Sequence, residues 1–333
     1  MANQLQVVIM LSESEIVRRF FTHPDSSVVL GVGDDSALIR PVTGMELAIS
    51  TDMLISGQHF SPDTAPRKLG YKALAVNLSD MAAMGAKPRW ATLALALPEP
   101  LVRTNEKWLE AFAGGFFGLA RTHQVALIGG DISRGPLTIC VQIIGEVAKG
   151  KALHRSGAKP GDDIWMSGRL GDAALALSHK QQHIKLEPSE IAACLPALHA
   201  PIARVELGQR LIGLVHCAID ISDGLLADLG HILECSKVAA VIKMNEVNCS
   251  VVLEKYLPQS PAINCLLAGG DDYELCFTAR KAKRGKIEAL SHEMDISLTR
   301  IGRIDAGEGL VVLDATGNAI KLGTTGYDHF RSL

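Results

Sequence analysis

At 333 residues the chain has room for about two domains, each with its own core. Its 47% hydrophobic and 21% charged composition is that of an ordinary soluble globular protein, and a formal net charge of -3 gives no reason to expect nucleic acid, whose binding draws on clustered Lys and Arg. Seven cysteines, odd in number and without a C-x-x-C pair, argue against a disulfide framework and a zinc site.

Residues 5–11 are apolar apart from Gln6, but they lack a basic leader and are too short to span a bilayer. We therefore expect a cytoplasmic protein, with no membrane partner and a poorly ordered N-terminal tail. Ser12 and Glu15 form a capping-box signature ahead of Ile16, Val17, Phe20 and Phe21, which predicts a helix over 12–23 that ends before Pro24. Strands over 27–30 and 46–50 follow, the second running into Thr51 and Asp52. Pro66 opens a long helix that stops at Gly85, with Pro88 just beyond. A strand over 90–97, a helix over 105–123 and strands over 125–128 and 137–147 complete a half that alternates in an α/β manner.

Residues 148–162 lose apolar periodicity and collect Gly, Lys and Pro, marking a linker between a domain over 1–148 and a second over 149–333. Beyond it the pattern predicts a strand over 163–166, a helix from about Asp172, helices over 189–195 and 202–214, a strand over 216–221 and a helix opening at Gly224. Strands over 273–278 and 310–313 are the clearest in the last third. Cys140, Cys217 and Cys276 fall in apolar strand-like runs and read as small core residues.

Aspartate recurs beside Gly or Ser where apolar runs end: in VGDDS (32–36), STD (50–52), GGD (129–131), DISDG (220–224) and GGDD (269–272). A sixth, Asp80, sits inside an alanine-rich helix on the face of Leu69, Ala73, Val76 and Asn77. Carboxylates at strand ends with small neighbours suit hard cations, which take oxygen ligands. Each motif has a plainer reading: a salt bridge for Asp80, a turn for Asp34 and Asp35, and helix capping by Ser222 or Asp223, which leaves Asp220 unexplained. Asp131 follows a buried strand, where loops commonly carry function. Converging carboxylates would repel one another and any phosphate, and bound Mg2+ inverts that logic. Arg134 and Arg155 are candidate phosphate partners or solvated surface charges, and His59 and Phe60 are placed to touch a substrate or to serve the structure. Walker, Rossmann, G-x-S-x-G, H-E-x-x-H and EF-hand patterns are absent.

In this order, VGDDSALI, LAISTDMLISGQHF, GYKALAVNLSDMAAMGAKP, LIGGDISRGP, LHRSGAKPGD, AIDISDGLLADLGHI, GGDDYELCFT and GYDHF resemble the thiamine-monophosphate kinases, within the ATP-binding superfamily that includes aminoimidazole ribonucleotide synthetase. The resemblance spans 31–330. It implies an α/β (α+β) fold of two domains with mixed sheets flanked by helices, the N-terminal domain supplying a homodimer interface. It also implies transfer of the ATP γ-phosphoryl to thiamine monophosphate with several Mg2+ ions. By motif, Asp35, Ser50, Thr51, Asp52, Asp80, Asp131, Asp220 and Asp223 would hold metal. Gly130, Asp131, Arg155 and Ser222 would contact ATP, and His59, Asp271 and the position of Thr324 would meet the thiamine substrate. No general base is implied, because an acceptor phosphate is already ionised; Asp80 and Asp131 would act through metal.

Three departures stand out against the family pattern. Ile132 replaces a common Thr, Asp271 replaces the Glu of GGED, and Thr324 stands where an aromatic residue usually precedes x-Gly-Tyr. The alternatives are another kinase or synthetase of the superfamily, or a non-catalytic nucleotide- and Mg2+-binding regulator.

Overall fold

The computed structural model describes residues 11–257, 259–320, 323, 326 and 327. The chain divides into two compact units, Met1–Asn77 with Pro88–Glu146, and Leu78–Lys87 with Val147–Leu333. The segment 78–87 is thus grouped with the C-terminal residues, a crossing that a single boundary after residue 148 does not contain. The apolar stretch over 5–11 lies outside the described residues except for Leu11.

The first sheet has four strands, β1 (Met45–Ile55), β2 (Lys87–Leu97), β3 (Ala126–Arg134) and β4 (Thr138–Ala148), in the order β1-β4-β2-β3. β2 and β3 run parallel, with Trp90 opposite Ala126 and Leu97 opposite Arg134. Helices α1 (Glu13–Ile16), α2 (Pro66–Ala83), α3 (Glu99–Thr104) and α4 (Glu106–His123) belong to this half of the sequence. The capping box forms as expected: the Glu15 N–H donates to Ser12 Oγ at 3.3 Å and the Ser12 N–H to the Glu15 carboxylate at 2.8 Å. α4 buries Leu109, Phe112, Phe116, Leu119 and Ala120 at helical spacing, with Trp108 stacked on Phe112 at 5.3 Å. Trp90, Ala126, Ile128 and Ile144 form an apolar cluster against which Val28, Ala37 and Ile39 pack.

Three expectations fail here for physical reasons. Residues 27–30 form no strand; Leu30 makes only an isolated antiparallel bridge to Leu38 across the Gly- and Asp-rich turn. β1 and β3 run on past their apolar stretches, so Asp52 and Asp131 lie within strands rather than after them. In β3 the ladder to β2 continues through exposed Gly130 and Asp131 as far as Arg134, whereas in β1 the apolar residues Met53, Leu54 and Ile55 resume after Asp52, Leu54 being buried. Nor does α2 carry a narrow apolar stripe: every residue from Lys72 to Ser79 is buried, and Asp80 is half-buried.

The second unit holds a six-stranded mixed sheet of β5 (Asp162–Ser167), β6 (Cys217–Ile221), β7 (Ala239–Lys243), β8 (Glu274–Arg280), β9 (Leu298–Asp305) and β10 (Gly309–Leu313). The order is β10-β7-β9-β5-β8-β6, with β10 parallel to β7 and the other neighbours antiparallel. Helices α5 (Asp172–Lys180), α6 (Pro188–His199), α7 (Val205–Leu211), α8 (Leu225–Ser236), α9 (Val251–Tyr256), α10 (Ser260–Ala268) and α11 (Arg284–Met294) accompany it. Ile164, Met166, Ile219, Leu229, Leu266 and Cys276 are among its core. Cys217 and Cys276 are buried as expected, whereas Cys140 is only half-buried. At the start of β5, buried Asp163 is gripped by Arg284 at 2.6 and 2.7 Å and by Arg300 at 3.5 Å. Burial alone would raise its carboxyl, but the two guanidiniums outweigh burial and hold it below the usual range. Among the described residues no helix is long and apolar enough to cross a membrane.

Candidate functional site

In the first unit a cavity of about 360 Å³ opens between the VGDD turn and the sheet. Gly33, Asp34 and Asp35 form one rim and Gly129 and Gly130 of β3 another, while Phe21, Leu93 and Leu95 supply apolar wall. Asp34 takes the Asp35 N–H at 2.9 Å, and Asp131 takes the Ser133 hydroxyl at 3.1 Å. Gly130 stands beside Leu93 of β2 with φ +156; a Cβ there would fall 1.8 Å from the Leu93 carbonyl oxygen, so the GGD stretch of β3 is tied to its neighbouring strand by the lack of a side chain.

β1 separates its candidates by pleat. Ser50 and Asp52 share the face of buried Ala48 and Leu54, whereas Thr51 lies on the opposite, exposed face with Ile49 and Met53, where Gln142 donates to its hydroxyl at 3.4 Å. Burial and then the Asp52 charge push the Cys140 thiol up, which places that carboxylate beside β4. His59 is turned back on its own strand: Nδ1 accepts the Ile55 N–H at 3.0 Å, which puts the proton of the neutral ring on Nε2. Arg134 pairs with Glu99 at 3.3 Å on the surface.

In the second unit, Asp220 is the buried centre. It lies inside β6 opposite Leu275, and Ser79 of α2 donates to its Oδ2 at 2.8 Å. Burial, then the charge of Asp80, push its carboxyl up to about 7, against the opposing pull of Ser79 and of Arg155 in the segment before β5. The turn that follows does not use Ser222 or Asp223 as a helix cap. The N-cap of α8 is Gly224, with φ +121, and a Cβ there would strike the backbone of Ala268.

Asp228, which the sequence reading passed over, fills the capping role from inside the helix. Its Oδ2 accepts the N–H of Ser222 at 3.0 Å and those of Asp223 and Gly224 at 3.1 Å each. Burial and then Asp223 push this carboxyl up to about 7, while the three N–H groups pull it down. The sequence signal was present as an aspartate four residues after Gly224, but an aspartate in a helix usually reads as a solvated face.

The GGDD loop folds onto the same turn. The N–H of Asp271 donates to the Ser222 carbonyl at 2.9 Å and that of Tyr273 to the Ile221 carbonyl at 2.8 Å. Asp271 and Tyr273 both hold left-handed backbone, φ +72 and +53, and the Tyr273 hydroxyl donates to Asp271 Oδ1 at 2.9 Å. Asp272 is turned away, its carboxylate taking the Gly171 N–H at 2.9 and 3.1 Å, and burial first of all keeps it well above the ordinary range. The Tyr327 N–H donates to the Asp223 carbonyl at 3.0 Å. Thr324 lies outside the described residues. Among the described residues no group of three or more His, Cys, Asp or Glu side chains is gathered tightly enough to hold a metal by itself.

Two α/β units with mixed sheets and acidic turns define the class. AIR synthase related protein, N-terminal domain, matches residues 33–147 and its C-terminal domain residues 159–315, so the chain belongs to the AIR synthase related proteins. Within them it belongs to the thiamine-monophosphate kinase family. It is 43% identical over 323 residues to the thiamine-monophosphate kinase of Escherichia coli (strain K12), covering 96% of this chain and 98% of that relative. A crystal structure of thiamine-monophosphate kinase from Stenotrophomonas maltophilia K279a is 47% identical with a TM-score of 0.81, covering 89% of this chain and 93% of that one. The structure of AaThiL complexed with AMPPCP and TMP is 32% identical with a TM-score of 0.75, covering 90% and 92%.

Proposed function

We propose that the chain transfers the γ-phosphoryl group of ATP to the phosphate of thiamine monophosphate, giving ADP and thiamine diphosphate. The observation that carries this reading is buried Asp220, raised by Asp80 and opening a turn with Ser222 and Asp223, in a chain whose relatives are thiamine-monophosphate kinases over nearly their whole length. An acceptor phosphate oxygen forms a bond to the γ-phosphorus, the bond from that phosphorus to the β,γ-bridging oxygen breaks, and the electron pair leaves with ADP. The acceptor is already ionised near neutral pH, so the protein's work is to position two polyanions and offset their charge.

The donor set fits Mg2+. Asp80 and Asp220 are oxygen donors that repel each other, and Mg2+ is commonly held by one or two carboxylates together with substrate phosphates rather than by an all-protein cage. When bound, the ion offsets charge on the phosphates. In the first unit Asp35, Ser50, Thr51, Asp52 and Asp131 would serve metal, Thr51 not through a side chain on the face of Asp52. In the second, Asp80, Asp220 and Asp223 would do so. Gly130, Asp131, Arg155 and Ser222 would meet ATP, and His59 and Asp271 the thiamine substrate, Asp271 being steadied by Tyr273.

A homodimer belongs to the same reading. Met45, Leu47, Ile49, Met53 and Ile55 line one exposed face of edge strand β1, at 37 to 59% exposure, and a second copy of the strand would cover them. Free cysteines throughout the described residues suit the reducing cytoplasm. Incubation of the protein with ATP, Mg2+ and thiamine monophosphate tests the proposal: thiamine diphosphate and ADP should appear in equal amounts. ATP binding without that product would point to the regulator instead.

A further inference from the structure

The turn 222–224 sits at the start of α8, where free backbone N–H groups and the helix dipole ordinarily bind an anion directly. Within the turn itself those of residues 222–224 are already taken. Three successive N–H groups converge on one carboxylate oxygen of Asp228, a residue only 3% exposed. On the other side of the chain three successive carbonyls, of Ile221, Ser222 and Asp223, accept the N–H groups of Tyr273, Asp271 and Tyr327. The main chain of the turn is therefore occupied on both sides. What it can present to a phosphate-bearing ligand is the pair of side chains Ser222 and Asp223.

We propose that Asp228 is a positioning residue: it holds this turn so that MgATP is met by the side chains of Ser222 and Asp223 rather than by main-chain N–H groups. The inference rests on the reading of the turn as part of the MgATP site. It explains how a site for a polyanion keeps a carboxylate at a helix N-terminus, since the internal carboxylate satisfies the dipole and the outer one is not needed as the helix cap. Removing the Asp228 side chain would leave three N–H groups without an acceptor, free to turn toward solvent and carry Ser222 and Asp223 with them.

Calorimetric titration of MgATP into the full chain, beside thermal melting, tests this without the phosphoryl acceptor. Asp228→Ala should raise the Kd for MgATP about tenfold or more, equivalent to about 1.4 kcal/mol. Asp228→Asn keeps an acceptor oxygen at the same reach and should recover most of that loss. An Ala variant that melts lower yet binds MgATP as the wild type does would overturn the proposal and leave Asp228 as a helix cap, as would an Asn variant no better than Ala. Should the Ala variant fail to fold, amide hydrogen exchange at 222–224 and MgATP titration of Asp228→Ser, whose shorter side chain does not carry the acceptor to the three N–H groups, take its place. Protection and affinity should then fall together, and weaker binding without faster exchange would refute the idea. A wild-type chain that does not bind MgATP sinks the reading of the site itself, whereas normal wild-type binding with unaffected variants sinks only the role of Asp228.

Discussion

Adjacent glycines of the GGD stretch of β3 offer a controlled test of how the sheet holds Asp131. At Gly129 an added Cβ meets nothing within 4 Å, while at Gly130 it would lie 1.8 Å from the Leu93 carbonyl oxygen and 2.7 Å from its carbon. Those are main-chain atoms of β2, so no rotamer change relieves the clash, and the strand pair must part. An alanine held at the φ of +156 found there costs about 1–3 kcal/mol. Each ladder hydrogen bond lost by parting β2 from β3 adds about 1 kcal/mol, and two such losses bring Gly130→Ala to about 3–5 kcal/mol. That is a large share of the roughly 5–15 kcal/mol by which proteins are stable. Gly129→Ala should stay within about 1 kcal/mol of the wild type, or gain slightly from a less flexible unfolded chain. Urea unfolding of the two variants reads the difference. MgATP titration of Gly130→Ala should also show weakened binding, because Asp131 follows directly in the same strand. Equal losses at the two positions, or a loss at Gly130 under about 1 kcal/mol, would show that β2 does not hold this part of β3.

Three further outcomes are expected. Asp80→Asn should lower turnover by at least about tenfold, or about 1.4 kcal/mol, without lowering the melting temperature in metal-free buffer, because after burial it is the Asp80 charge that raises Asp220; near-normal turnover would remove Asp80 from the metal set. Ile49→Glu should convert a dimer to single copies in light scattering: covering Ile49, 59% exposed, is worth about 1–2 kcal/mol per copy, and a carboxylate in that contact adds a burial cost, so a dimeric variant would exclude β1 from the interface. Arg284→Ala should melt below the wild type near neutral pH, with the gap closing in acid. Asp163 is held below its ordinary range, so the stability it contributes is fully present above its unfolded value of about 4 and is lost as pH falls through the depressed folded value; a gap of constant size from pH 7 to pH 3 would refute the link.

How much was legible in the sequence depended on whether the signal was local. The Ser12 and Glu15 capping box, the start of α2 at Pro66 and the amphipathic run of α4 were readable because caps and helical periodicity act within a few residues. The end of β3 was misread because apolar patterning reports burial, and its ladder to β2 continues where burial stops, whereas β1 runs on past Asp52 to Leu54, which is buried again. β9 escaped notice because exposed Arg300 and Arg303 interrupt its buried positions, and β7 was passed over although β6 and β10, equally short, were read.

The candidate site divides along the same line. Asp35, Asp52, Asp80, Asp131, Asp220 and Asp223 could be picked out because side-chain chemistry is written in the sequence. The arrangement of the 221–224 turn could not, because its contacts are made by carbonyls and N–H groups that every residue possesses. DISDG, GGDDY and the C-terminal Gly-Tyr look like independent motifs, yet they are joined through three consecutive carbonyls on one side of a turn and a single carboxylate on the other. It follows that a departure such as Asp271 for Glu need not act only by shortening a side chain. Its N–H is bonded to Ser222, so whatever alters the backbone at 271 is transmitted to the turn that carries Asp223, and the residues proposed for the acceptor and for the nucleotide in the second unit answer to one main-chain framework.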